Sequence, residues 1–140
     1  MIQLANQDDL LSIEPMLEAL DRLHVKHLPE RFTPRDTLER LQRLQTILEK
    51  QGFILYEESK GFITVEWIGN KRYRIEYLFV RPEGRRVGLA TALLRTAEEH
   101  LQGMDLYVSA YCFNKEAISL YDQLYQRSSV VYHKSINVDE

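Results

Sequence analysis

The sequence predicts a mixed α/β domain, α+β-like in arrangement, with a mostly antiparallel sheet. Three observations predict it. Residues 10–50 carry two helical periods, residues 53–80 carry three β-rich runs with short turns between them, and the chain after Gly84 alternates helix with strand. That alternation puts a helix between the runs at 72–80 and 105–110. A helical crossover makes two strands parallel, so this pair is parallel in an otherwise antiparallel sheet.

Each element has a local reason. Met1–Ala5 reads as a short strand, and Asn6 with Asp8 and Asp9 suits a helix N-terminus ahead of Leu10, Ile13, Leu17 and Leu20 at helical spacing. Pro15 must lie in the first turn, with Ser12 as N-cap, or kink a longer helix. Pro29 and Pro34 make His24–Phe32 a loop. Thr33-Pro34 then reads as N-cap and first residue of a helix running through Lys50, with Leu38, Leu41, Leu44 (or Gln45) and Leu48 on one stripe and Gly52 at its end. Phe53–Glu57, Gly61–Trp67 and Arg72–Val80 form a meander turned by Glu58–Lys60 and Gly69–Lys71, and Pro82 stops the third strand. Leu89, Leu93, Ala97 and Leu101 step by four to Gly103. Asp105–Ala110 reads as a strand, Asn114–Tyr125 as a helix and Ser129–Ile136 as a final strand. With no repeat, low-complexity tract or linker, residues 1–140 read as one domain.

Composition narrows the function. The chain has 140 residues, 44% hydrophobic and 28% charged, with a formal net charge of −3. That is ordinary globular composition without the field to hold a polyanion or an anionic lipid surface, so neither nucleic acid nor membrane is an expected partner. The single cysteine, Cys112, excludes an internal disulfide framework and a multi-cysteine metal site. The N-terminus lacks the basic and apolar regions of a signal peptide, and no apolar run approaches the ~20 residues of a membrane span. A cytoplasmic protein is the expectation.

The chemistry concentrates between Leu78 and Leu94. A buried strand leaves through Pro82 into a basic turn with Gly84, Arg85, Arg86 and Gly88, and a helix opens around Val87. Unpaired N–H groups and the dipole at a helix start attract phosphate, and Gly88 and Ala90 let an anion approach the amides closely. The bland alternative is a strand–turn–helix with two solvated arginines. Neither GxxxxGK[ST] nor GxGxxG is present, which weakens ATP-loop and dinucleotide readings.

Arg85-x-x-Gly88-x-Ala90, preceded by Val80-x-Pro82 and followed by Leu93-Leu94, resembles the acetyl-CoA-binding motif of the GCN5-related N-acetyltransferases (GNAT), [RQ]-x-x-G-x-[GA]. Leu106-x-Val108-x-Ala110, then Asn114, Ala117-Ile118, Leu120-Tyr121 and Leu124, resembles the second motif of that family. The likeness is specific over about residues 73–125 and extends by element order over the whole chain. One departure is Tyr125-Gln126, which stands where the family often has Gly-Phe.

The resemblance implies a GNAT fold, with helices on both faces of the sheet and the strand at 105–110 splaying from the one that ends at Val80. It implies acetyl-CoA as cosubstrate, its pantetheine arm paired with main-chain groups of Leu78, Phe79 and Val80. Pyrophosphate would rest on the amides of Arg86, Val87, Gly88, Leu89 and Ala90, with Arg85 and Thr91 beside them. An N–H near Phe79–Val80 would polarise the thioester carbonyl. Asn114 would contact the arm while capping its helix, and Tyr121 would bind the cosubstrate and donate the proton to the leaving thiolate, as a phenol titrating near ~10 can. The acceptor would be a small-molecule or peptide amine walled by residues 10–50, and a homodimer is common among relatives.

The base is open. By strict alternation Glu76 shares a face with Leu78 and Val80 among apolar neighbours, a setting that suits proton abstraction through water; the alternative is a solvated glutamate. Glu66 is the second candidate. His24 and His27 complete no metal set, Cys112 reads as a buried small residue or loop thiol, and Arg72 and Arg74 read as a solvated edge. A CoA-holding sensor or interaction module on the same fold, and a phosphate-binding domain using Arg85 and Arg86, are the rival functions.

Overall fold

The computed structural model describes residues 1–85 and 88–136, in two compact units, Met1–Ser109 and Ala110–Glu140. The first holds a five-stranded sheet in the order β1 (Gln3–Leu4), β2 (Phe53–Glu57), β3 (Gly61–Gly69), β4 (Arg72–Val80) and β5 (Asp105–Tyr107). β1 to β4 are antiparallel and β4 with β5 is parallel, as the crossover requires. The connection is α3 (Leu89–Glu99), while α1 (Leu10–His27) and α2 (Thr37–Glu49) precede the meander.

Both faces of the sheet are covered. Ile13, Met16, Leu17 and Leu20 of α1 and Leu44 and Ile47 of α2 pack on Ile54, Tyr56, Phe62, Tyr77 and Phe79. The alternate residues Leu55, Ile63, Val65, Ile75 and Val80 are also buried, and α3 lies against β2, β3 and β4 with Leu89, Leu93, Leu94 and Ala97 buried. Burial on two faces explains why the strands read as apolar runs with only partial alternation.

Several local expectations shift. A 3₁₀ turn, Gln7–Asp9, capped reciprocally by Asn6 and Asp9, leads into α1, so Ser12 is not the cap and the helix runs through Pro15. The hydrogen bond that Pro15 cannot donate would have gone to Leu11, which is exposed, so water can serve its carbonyl. α1 also continues to His27 rather than stopping before His24, because Pro29 restricts only its neighbour Leu28, which leaves the helix at φ −136°. α2 opens at Asp36 rather than Thr33: Asp36 accepts from the Glu39 N–H at 2.8 Å while its own N–H donates to the Glu39 carboxylate at 3.2 Å. The buried stripe of α2 is Arg40, Leu44 and Ile47, with Leu38 exposed. Gly52 has a steric reason to be glycine, since an added Cβ would sit 2.6 Å from the carbonyl oxygens of Ile47 and Val65.

In the second unit, α4 (Lys115–Leu124) is capped by Asn114, whose side chain accepts from the Ala117 N–H at 3.1 Å. Tyr125 leaves it in extended conformation, φ −131° and ψ 156°, so the helix ends without the left-handed residue a glycine would supply. The strand expected at Ser129–Ile136 is not formed: these residues are exposed and unladdered. Val130, Val131 and Tyr132 have β-forming side chains, but such propensity acts only through packing against a neighbouring strand.

Candidate active site

β4 carries the decisive irregularity. Val65 pairs with Ile75 and Thr64 with Tyr77, so Glu76 is the extra residue of a β-bulge. The Tyr77 N–H donates instead to the Thr64 hydroxyl, at 2.9 Å. The bulge switches faces: Tyr73 packs near Phe53 and His100 on the α3 side, whereas Tyr77 and Phe79 lie in the α1/α2 core. Glu76 therefore does not share a face with Leu78 and Val80. Its carboxylate lies toward Arg43 of α2.

The parallel ladder between β4 and β5 covers only Arg72, Tyr73 and Arg74, and ends two residues before the bulge. β5 is thus three residues long rather than the six of 105–110, since a bulge adds local twist that carries β4 away from its neighbour. From Ile75 to Val80 the β5 side of β4 has no ladder partner among the described residues. The Tyr77 N–H and the Arg81 N–H (to the Lys60 carbonyl, 2.8 Å) both point to the β3 side. By alternation Leu78 and Val80 turn their main-chain groups to the open edge, while Phe79 turns its own to β3 and its ring to the core. Of the three residues expected on this edge, the geometry presents Leu78 and Val80 and withdraws Phe79.

Beyond the edge, the chain passes through a 3₁₀ turn, Pro82–Gly84, to Arg85, whose Nε donates to the Val80 carbonyl at 3.0 Å. Arg86 and Val87 lie outside the described residues. α3 begins after Gly88 at φ +78°, with no side chain capping it. A Cβ on Gly88 would meet nothing within 4 Å, so glycine is favoured there by the left-handed backbone and not by crowding. The first N–H groups of the helix, at Leu89, Ala90 and Thr91, are the donors such a terminus leaves without intrahelical partners. The Leu89 side chain is buried, near Val80 where both pass Gly61.

Glu66 and Glu76 sit in an ionic setting rather than the apolar one expected of Glu76. Arg43 and Arg74 both hydrogen-bond to Glu66, one to each carboxylate oxygen. Arg43 also lies 3.8 Å from Glu76, and Arg74 3.4 Å. Burial alone would push the Glu66 carboxyl up, but these hydrogen bonds outweigh it and hold the group below the usual range. Arg74 is thus not a free solvated edge. Neither this ring nor the bulge has a local signal, because Tyr73, Ile75, Tyr77 and Phe79 alternate without a break in the sequence.

On α4, Asn114 caps the helix as expected. Tyr121 is half-buried, in edge contact with Tyr125 at 6.3 Å, and burial pushes its phenol up to about 12, so it keeps its proton throughout the neutral range. Cys112 is an exposed thiol. Among the described residues no group of His, Cys, Asp and Glu could hold a metal ion, and no helix is long and apolar enough to cross a membrane.

The sequence pattern of the acetyltransferase (GNAT) family matches residues 17–124. No curated protein matches the chain in sequence. Among solved structures, a point-mutant protein from Bacillus halodurans superposes with a TM-score of 0.84 at 15% identity, covering 99% of each chain. A ribosomal-protein-alanine N-acetyltransferase from Brucella melitensis biovar Abortus gives 0.72 at 16% identity, again over 99% of each. AAC(6')-Iy in complex with the bisubstrate analogue CoA-S-monomethyl-acetylneamine gives 0.71 at 15% identity over 98% of each. These likenesses establish the fold.

Proposed function

The chain belongs to the GNAT acetyltransferase family, and we propose that it transfers an acetyl group from acetyl-CoA to a primary amine by direct attack in a ternary complex. The observation that carries this reading is the open β4 edge at Leu78 and Val80, which leads into the uncapped start of α3 at Gly88. An extended amide-bearing arm adds to such an edge as a strand would, and a diphosphate suits helix N–H groups. The CoA conjugate bound by the structural neighbour AAC(6')-Iy is consistent with that fit.

Acetyl-CoA supplies the acyl thioester. The main-chain groups of Leu78 and Val80 hold the arm, and the edge N–H nearest the carbonyl polarises it. The amides of Gly88, Leu89, Ala90 and Thr91 take the pyrophosphate with Arg85, and Arg86 and Val87 belong to the same loop in sequence. Glu76 accepts the first ammonium proton, directly or through water, and the neutral amine nitrogen then attacks the carbonyl carbon; a C–N bond forms and the C–S bond breaks. Tyr121 gives its phenolic proton to the departing sulfur, and the second nitrogen proton, shed as the amide forms, restores the phenol through water. Asn114 contacts the arm while capping α4. The acceptor is a small-molecule or peptide amine, the class that the two named neighbours span, in a cytoplasmic setting.

A thermal-shift series with acetyl-CoA, CoA, ATP and NAD tests the cosubstrate. Acetyl-CoA at a hundred times its dissociation constant is expected to stabilise the fold by about 2.7 kcal/mol, with ATP and NAD giving no comparable shift. An equal response to ATP would overturn the pantetheine reading in favour of a general phosphate site. Amine-dependent release of free thiol, lost in Tyr121→Phe, separates an enzyme from a CoA-holding module.

A further inference from the structure

Glu66, Arg43, Glu76 and Arg74 close a four-membered ring of alternating charge, drawn from β3, α2, the β4 bulge and the start of β4. The ring is lopsided. Glu66, the less exposed carboxylate at 15%, takes a hydrogen bond from each arginine, whereas Glu76, at 28%, has the same arginines at 3.8 and 3.4 Å. Those separations exceed the roughly 2.7–3.2 Å of a protein hydrogen bond. Glu76 therefore has neighbouring positive charge but keeps its lone pairs, about four per ionised carboxylate, for another donor. The bulge adds to this, since it lifts Glu76 out of the pairing with β3.

We infer that Glu66 is a positioning residue for Glu76: by occupying the hydrogen bonds of Arg43 and Arg74, it keeps the Glu76 carboxylate open to the acceptor amine. The inference rests on the reading of Glu76 as the base. Charge balance gives the reason. Two guanidinium groups face two carboxylates, so loss of the Glu66 charge leaves Glu76 as the one anionic partner in the ring. Both arginines then move onto it and fill the lone pairs that the amine or its bridging water needs.

The test is a double-mutant cycle on kcat for amine-dependent thiol release, with thermal unfolding and the KM for acetyl-CoA as controls. Glu66→Gln is expected to lower kcat at least about tenfold with that KM unchanged, a partial loss of the roughly 10²–10⁴-fold that general-base catalysis supplies. Glu66→Asp, which keeps the charge, stays near wild type. In a Glu76→Gln background, Glu66→Gln has no further effect, because its influence passes through a base already removed. Glu66→Gln/Arg74→Gln, which restores local charge balance, recovers activity relative to Glu66→Gln and remains informative if the single variant does not fold. An equal loss in both backgrounds, no loss in the wild-type background, or a double variant as impaired as Glu76→Gln overturns the positioning role. Unchanged kcat in Glu76→Gln itself overturns the base assignment and the inference that rests on it.

Discussion

Two arginines one helical turn apart on α2, Arg40 and Arg43, organise charge clusters of opposite character. Arg40 is 5% exposed and meets Glu14 at 2.7 Å, with Glu18 and Asp21 at 3.7 and 3.9 Å, and it also donates to the Arg35 carbonyl. Arg35 completes this cluster with a two-pronged bond to Asp21 and a 3.2 Å bond to the Tyr77 hydroxyl. The Arg43 cluster is more exposed, and one of its carboxylates has no short partner. The difference is one of burial and saturation. The more buried and more fully hydrogen-bonded network ties α1, the α1–α2 connection and β4 together, while the more exposed and unevenly bonded one leaves the Glu76 carboxylate without a short partner.

The sharpest way to break this contrast is Arg40→Ala. It strands Glu14 in the interior without its partner, and the expected loss is about 3–5 kcal/mol in urea unfolding, with activity falling only as far as folded protein is lost. Arg35→Ala removes a half-exposed clasp and is expected to cost about 1–2 kcal/mol. A cost near zero would show that the Asp21 pair does not tie the α1–α2 connection to β4. Acid probes the Arg43 cluster by another route. The hydrogen bonds from Arg43 and Arg74 lower the Glu66 pKa in the fold, so the stability it contributes is whole above the unfolded value of 4.5 and is lost as pH falls through the folded one. The drop in stability between pH 7 and strongly acid solution is therefore expected to be smaller in Glu66→Gln than in wild type. The smallest stability effect belongs to Arg74→Ala, whose side chain is 47% exposed; less than about 1 kcal/mol is expected. A larger value would place the second cluster with the first.

The turn into α3 is the most legible part of the candidate site, because its backbone requirements are local. Gly88 is favoured where the backbone turns left-handed into α3, and that preference leaves a mark on one residue. Asn114 is a cap by the same logic. The start of α2 is ambiguous in the sequence because two N-terminal signals lie three residues apart, Thr33-Pro34 and Asp36 with Glu39, and the reciprocal hydrogen bonds of the second prevail. At that point Arg35 is already committed to Asp21 and Tyr77 and stays outside the helix.

Periodicity, capping residues and turn chemistry are properties of a few adjacent residues, so the order of elements through α4, the parallel pair and the glycine turn into α3 can be read from the chain alone, whereas the strand expected at Ser129–Ile136 is absent because it has no neighbour to pair with. The bulge at Glu76, the ending of the parallel ladder at Arg74, the withdrawal of Phe79 and the charge ring could not. Each depends on which residue of β3 or α2 lies opposite β4, and that register is settled by packing both faces of the sheet at once. An unbroken alternation along β4 carries no trace of it.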